Sequence, residues 1–318
     1  MKFTFVFLVV IFQILLTLFA IKSFSQDTTV IIDNKKMVLP EVIVRNNFDF
    51  KKLLRQIKED TTFYKAFRNL RILNYSSFND IRMLNKEGKT KASLFSKTHQ
   101  VRKNGCRTMA ILHEETTGDF YTEKHVFNYF TGELYAALFF TKGQICGETN
   151  IVTGKSISTV DKKGIDKHKE QLKMLFFNPG KKIDGIPFIG NKLDLYDERA
   201  HKLYDYRIDL EDFHGASCYK FTIIPKEDLG MLNREDIVVD GMTTWFDTKT
   251  LEVLGRNYSL SYKAGLYDFD VSMEVEMTHF GNLLVPQLLR YKGNWDIIFK
   301  KRERGEFTAT LFDFSSEK

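Results

Sequence analysis

The stretch Tyr267-Asp268-Phe269-Asp270-Val271-Ser272-Met273-Glu274-Val275-Glu276-Met277-Thr278 decides the fold class. Its odd-numbered positions are all apolar and its even-numbered positions all polar, over twelve residues. Strand side chains point alternately to opposite faces, so this pattern predicts a long antiparallel strand, buried on one face and wet on the other. Working backwards, Lys263-Ala264-Gly265 reads as a turn, 253–262 as the preceding strand and 243–247 as the one before that. Tyr219, Phe221 and Ile223 alternate with Lys220 and Thr222 in the same way. Forwards, strands are predicted over 295–300 and 307–314, around a turn at Arg302-Glu303-Arg304-Gly305.

The N-terminal half mixes two periods. Phe50, Leu53, Leu54 and Ile57, then Phe63, Tyr64 and Phe67, recur at helical spacing with Lys51, Lys52, Arg55 and Lys58 opposite. They predict a helix over 48–70, split near Thr61-Thr62 and packed on a sheet. Short β-type runs follow at 79–83, 91–97, 106–113, 125–130 and 134–146, separated by Gly-containing turns. Ile165, His168, Leu172, Leu175 and Phe176 mark one face of a further helix over 161–178, which Asn178-Pro179-Gly180 stops. The 318-residue chain is therefore expected to be mainly β (α+β), a long curved antiparallel sheet or unclosed β-barrel with helices covering its concave face.

Composition narrows the class. At 43% hydrophobic, 28% charged and 14% aromatic residues, with 5 Pro and 3 Cys, the chain is not disordered, collagenous or a disulfide-stapled miniprotein. Its 29 Phe reflect either base composition or a cavity lined with rings. The net charge of +6 is mild, and the basic residues are scattered, so no nucleic-acid partner is expected.

Met1-Lys2, the apolar run 3–20 and the small residues Ser23 and Ser25 predict a signal peptide over 1–25, with Gln26 as first mature residue. An uncleaved signal anchor is the alternative. An extended lead-in over 26–48 holds one candidate edge strand, Leu39 to Val44, and residues 49–318 form a single domain. In an oxidising compartment Cys106, Cys146 and Cys218 are free to pair, although burial as small hydrophobes is the plainer expectation for them.

Catalytic signatures are missing. There is no GxSxG, no HExxH and no Cys/His spacing of a metal site. Thr153-Gly154-Lys155-Ser156 ends like a P-loop, but Thr149 stands where that motif needs Gly. Asp268, Asp270, Glu274 and Glu276 share the wet face of one strand, and the seven His are dispersed. No enzyme activity, cofactor or metal is expected. The apolar side offers more: Phe176, Phe177, Pro187, Phe188 and Ile189 lie in a helix–loop near 161–190, the one interruption of the strands in this half. They form either a plug packed into the core or a lid over a ligand cavity, and they are the candidate ligand-binding residues.

The segments Phe176-Phe177-Asn178-Pro179-Gly180, Phe188-Ile189-Gly190, Tyr204-Asp205-Tyr206, Gly215-Ala216-Ser217-Cys218-Tyr219 with Pro225-Lys226, and 241–250 give the chain a family look. Over residues 50–314 it resembles the LolA-like superfamily of periplasmic lipoprotein carriers and exported proteins of Gram-negative bacteria with that type of sheet. The resemblance implies an unclosed barrel with helices across its mouth and an acyl chain as ligand. The expectation is a periplasmic or outer-membrane-associated protein whose partner is an apolar small molecule or an acylated protein, with an outer-membrane partner as a further expectation. The alternative is an envelope structural or adaptor protein whose sheet is filled by its own side chains.

Overall fold

The computed structural model describes residues 28–32, 35–39, 50–152, 174–177, 179–183, 189–264, 267–297 and 302–317. Signal peptide, P-loop-like segment, Pro187, Phe188 and most of the 161–178 helix lie outside these residues.

The alternating segment forms β11 (Tyr267–Phe280), paired along its length with β12 (Leu283–Ile297) through the turn at Gly281. Phe269, Val271, Met273 and Val275 are buried, while Asp270, Ser272 and Glu274 are exposed. Around this hairpin the chain builds one thirteen-stranded sheet. Its other strands are β1 (Thr28–Ile32), β2 (Lys35–Leu39), β3 (Leu73–Leu84), β4 (Thr90–Lys103), β5 (Cys106–Thr117), β6 (Ile145–Cys146), β7 (Tyr204–Phe213), β8 (Ala216–Pro225), β9 (Val239–Asp247), β10 (Val253–Ala264) and β13 (Glu303–Ser316). The spatial order is β1-β2-β7-β8-β9-β10-β11-β12-β13-β3-β4-β5-β6. From β7 to β6 every pairing is antiparallel, and β2 joins β7 in parallel. The ends, β1 and β6, do not meet, so the sheet stays unclosed.

Two helices of the expected 48–70 element lie on the sheet: α1 (Phe50–Glu59) and α2 (Thr62–Asn69). The break falls where Asp60 Oδ1 accepts hydrogen bonds from the Thr62 backbone N–H (2.9 Å) and hydroxyl (2.6 Å). Such a carboxylate satisfies orphan donors at a helix start and favours its positive end. The other Asp60 oxygen lies 3.8 Å from the buried Arg256, whose guanidinium also stacks on Phe63, 4.4 Å from the ring centre. Leu53, Ile57, Phe63 and Phe67 point into the core.

Several expectations are corrected. The run 134–146 is not one strand, because α3 (Phe130–Phe139) takes its first six residues and only Ile145–Cys146 pairs as a strand. The run 125–130 holds only an isolated bridge, Tyr121 to Phe127. The apolar residues of α3 surround its axis, which hides helical periodicity. Its start is capped from across the molecule: Glu303 accepts from the backbone N–H groups of Phe130 and Thr131 and from the Thr131 hydroxyl, each at 2.8 Å. Glu303 therefore opens β13 instead of sitting in a turn. Gly305 permits this approach, since a Cβ there would come within 3.0 Å of Thr131 Cγ2 and 3.2 Å of Met83 Sδ. Strand β12 begins at Leu283, twelve residues before the expected Trp295, because a bulge at Gln287 resets the alternation beside Pro286. Strand β7 is an addition to the predicted strands. The lead-in carries a hairpin, β1–β2.

The two short helices α4 (Ala200–Leu203) and α5 (Met231–Arg234) lie in connections of the second half.

Candidate functional site

The inner face of the sheet is treated differently at its centre and at one flank. At the centre, a helical turn at 174–177 presses Leu175 and Phe176 onto Tyr258, Met273, Tyr291 and Trp295. Phe176 stands 5.4 Å from the Tyr291 ring and 6.5 Å from Phe307, and is 4% exposed. The space left among these residues is about 10 Å3, room for one water at most. Gly293 keeps this packing close, because a Cβ there would meet the Tyr291 hydroxyl and Trp295 Nε1. Ile189 is likewise buried.

At the flank, α2 and α3 stand apart over β3–β5 and leave a cavity of about 1090 Å3. Its apolar wall comes from Phe67, Leu70, Met109, Phe139, Phe140 and Phe177. Phe177 closes the side nearest the plug, 4.7 Å from the Phe67 ring and 6.4 Å from Phe139. Of the candidate residues, Phe176 and Ile189 thus sit in filled core, Phe177 borders the cavity, and Pro187 and Phe188 lie outside the described residues.

The polar wall went unnoticed in the sequence. Arg107 donates to Glu148 Oε2 (2.5 Å), to Gln100 Oε1 (3.1 Å) and to the Thr141 hydroxyl. Arg71 meets the other Glu148 oxygen at 3.1 Å. Arg68, one helical turn before Arg71, donates to the Thr149 carbonyl at 2.7 Å, while its Nε is shielded from water and has no acceptor among the described residues. Gln100 in turn donates to the carbonyls of Leu70 (2.7 Å) and Leu73 (2.8 Å), which fixes the chain leading from α2 into β3.

A disulfide holds this corner. Cys106 pairs with Cys146, contrary to the plainer expectation of unpaired thiols, and Cys218 is free and buried. The bridge ties the residue before Arg107 to the residue two before Glu148, so it positions the ion pair. Burial pushes the Glu148 carboxyl up, but the Arg107 hydrogen bond and the Arg107 and Arg71 charges outweigh it and hold the group below its ordinary value. Burial, reinforced by Arg68, lowers the Arg71 guanidinium from its ordinary value, with Glu148 opposing. Burial raises the Tyr75 phenol to about 12, so this lining residue is a neutral hydroxyl at any ordinary pH.

At the opposite rim, His125 stacks on Tyr121 with ring centres 4.0 Å apart, and both reach Glu114, at 3.5 and 3.4 Å. Among the described residues no cluster of His, Cys, Asp and Glu could hold a metal ion. Four strand carboxylates read as solvated lie on the outer face, where Arg290 pairs with Glu274 (3.2 Å) and Glu276 (3.6 Å), and Arg302 with Asp268. No helix among the described residues is long and apolar enough to cross a membrane.

No family model and no curated protein matches this chain. Among solved structures it is similar to a DUF1329 family protein from Desulfovibrio piger, with 10% identity and a TM-score of 0.26 over 81% of this chain and 93% of that one. It is also similar to a LolA superfamily protein from Nitrosomonas europaea, with 8% identity and a TM-score of 0.24 over 82% of this chain and 94% of that one. Both overlays are loose.

Proposed function

We propose that this is an exported carrier or binding protein that holds the acyl chain of a small molecule or an acylated protein in the flank cavity. The observation that carries the reading is an open space of about 1090 Å3, walled by Phe67, Phe139 and Phe177, on the inner side of an unclosed sheet. That volume lies just above the about 300–1,000 Å3 usual for small-molecule pockets. The Cys106–Cys146 bridge supports export to an oxidising compartment, as does the apolar run at 3–20, and the periplasm or the outer membrane surface fits both. Binding, not catalysis, is the role assigned, with Phe177 the contact among the five residues singled out by sequence.

A titration with saturated acyl probes of increasing length tests this. Each buried methylene adds about 0.8 kcal/mol, so affinity climbs steadily and then levels when the cavity is full. Ala136→Trp, which places an indole in the cavity wall, abolishes the climb while the protein remains folded. Flat, negligible binding at every length by the wild-type protein rejects the reading. The filled centre around Phe176 then favours the second one, an envelope structural or adaptor protein with no small-molecule ligand.

A further inference from the structure

The cavity lining is polar at one end and apolar at the other. Along the inward-facing row of β5 the residues are Arg107, Met109 and Ile111, a change from cation to hydrocarbon over four residues or about 13 Å. The cationic end gathers Arg68 and Arg71 around Arg107. The far end adds Val126 and Phe127, and both Ile111 and Val126 are more than half exposed. A hydrocarbon tail lying there would cover them.

Charge at the cationic end is unbalanced. Arg68, Arg71, Arg107 and Lys142 line the cavity against two carboxylates, Glu133 and Glu148. Both oxygens of Glu148 are already engaged, one by Arg71 and one by Arg107. Among the described residues, Arg68 has one backbone carbonyl as hydrogen-bond acceptor and no carboxylate, and its Nε donor has no acceptor. A water-shielded donor left without a partner is costly in a folded protein. Three guanidiniums converging on one saturated carboxylate have capacity for a second anion, and guanidinium forks match carboxylate and phosphate oxygens in geometry.

We propose that the cavity selects amphiphiles with an anionic head group, with Arg68, Arg71 and Arg107 as the head-group end and Met109, Ile111, Val126 and Phe127 along the tail. This rests on the acyl-binding reading above and names its ligand class. The Arg71 guanidinium, lowered first by burial and then by Arg68, agrees with it, since a bound anion would offset both. A fatty acid and a phosphate lipid offer the same head-group chemistry, and the test separates them.

Calorimetric titration of the full mature chain uses four ligands with one twelve-carbon tail: dodecanoate, dodecyl phosphate, dodecyl maltoside and dodecyltrimethylammonium, all below their micelle concentrations. The expected result is binding of one or both anionic ligands about ten- to a hundredfold tighter than the neutral one, the range of a hydrogen bond to a charged group, with the cationic ligand weakest. Dodecanoate ahead points to a fatty acid, and dodecyl phosphate ahead to a phosphate lipid. Arg68→Gln removes most of the anionic advantage and leaves dodecyl maltoside unchanged, and Arg68→Lys keeps part of it. Raising salt weakens the anionic ligands alone. Equal affinity for anionic and neutral heads, or an Arg68→Gln loss shared by all heads, overturns the head-group inference and leaves the acyl reading standing. Absence of binding by all four ligands overturns both.

Discussion

The centre of the sheet and its β3–β5 flank share one backbone architecture and differ in what their inner rows carry. At the centre, Met273, Val275, Leu289 and Tyr291 present an unbroken apolar surface, and Phe176 fills the trough above it. At the flank the inner row turns polar: Ser77, Asn79, Ser96, Thr98 and Gln100 are all buried there. They satisfy one another and the helix above, with Ser77 to Thr98 at 2.7 Å, Asn79 to Ser96 at 3.2 Å and the Tyr135 hydroxyl to Asn79 at 2.6 Å. Buried polar groups must stay hydrogen-bonded, so this face cannot be closed by simple hydrophobic collapse. A sheet can thus be stable and still hold space, if the polar row props the cover away from the strands over part of its length.

The largest expected effect lies at the centre. Met273→Asp puts a carboxylate into a site that is 2% exposed, where the Tyr258 hydroxyl, 2.9 Å from Met273 Sδ, is no match for a buried charge, and should cost more than about 4 kcal/mol, enough to unfold a marginal protein. A urea melt that stays close to wild type would show that the β11 face assignment is wrong. Phe176→Ala comes next. It empties a packed position and should cost about 3–5 kcal/mol. Phe177→Ala, at the half-buried cavity wall, should cost about 1–2 kcal/mol and chiefly lower acyl-probe affinity. Equal losses of stability from the two would erase the distinction between plug and wall.

The disulfide sharpens the comparison in the other direction. Cys146→Ser releases a bridge spanning 40 residues and should cost about 2–4 kcal/mol. Hydrogen exchange should show the loosening at β5 and β6, with β10–β12 unchanged; a uniform loss of protection would mean the two regions unfold as one unit. Acid should act on the same corner. The depressed Glu148 carboxyl contributes its full stabilisation above about pH 4.5, the ordinary Glu range, and loses it as pH falls through the lower folded value. Arg71 and Arg107 are then left without their shared carboxylate. A pH titration in which Glu148→Gln and wild type fall in parallel would show that the pair contributes nothing.

The sequence carried the centre better than the flank, for physical reasons. Strand β11 has one wet face and no bulge within the twelve residues read, so period two survives intact. Helices α1 and α2 lie on the surface of the sheet, which leaves a polar side and a visible period. Helix α3 has sheet on one side and cavity on the other, so beyond Glu133 it shows no polar stripe, and its cap Glu303 is more than 170 residues away in sequence. No local window contains that information. Tyr204, Tyr206 and Ile208 alternate with Asp205, Arg207 and Asp209, so β7 was legible by the rule that found β11. The arginine site was not, because α2, the turn at Leu70–Ile72, β5 and the segment after β6 each supply a part of it. One partial signal existed: Arg68 and Arg71 share a helix face at i, i+3, and Arg107 adjoins a cysteine.

The smallest expected effect tests the outer face of the same strand that gives the largest. Glu274 directly precedes Val275 and follows Met273, but its carboxylate is half exposed and pairs at 3.2 Å with the half-exposed Arg290 of β12. Exposed ion pairs of this kind contribute about 0–1 kcal/mol, because water screens both charges and two long side chains lose freedom in forming them. Arg290 also has Glu276 within 3.6 Å, so it keeps a partner when Glu274 is changed. Glu274→Lys should therefore shift stability by less than about 1 kcal/mol, and the shift should shrink as salt screens the new Lys from Arg290. Parallel urea melts at low and high salt, run beside Met273→Asp, measure both. A loss rivalling that of Met273→Asp would mean that the outer face is covered in the folded protein, and the contrast between a dry inner row and a wet outer row would have to be abandoned.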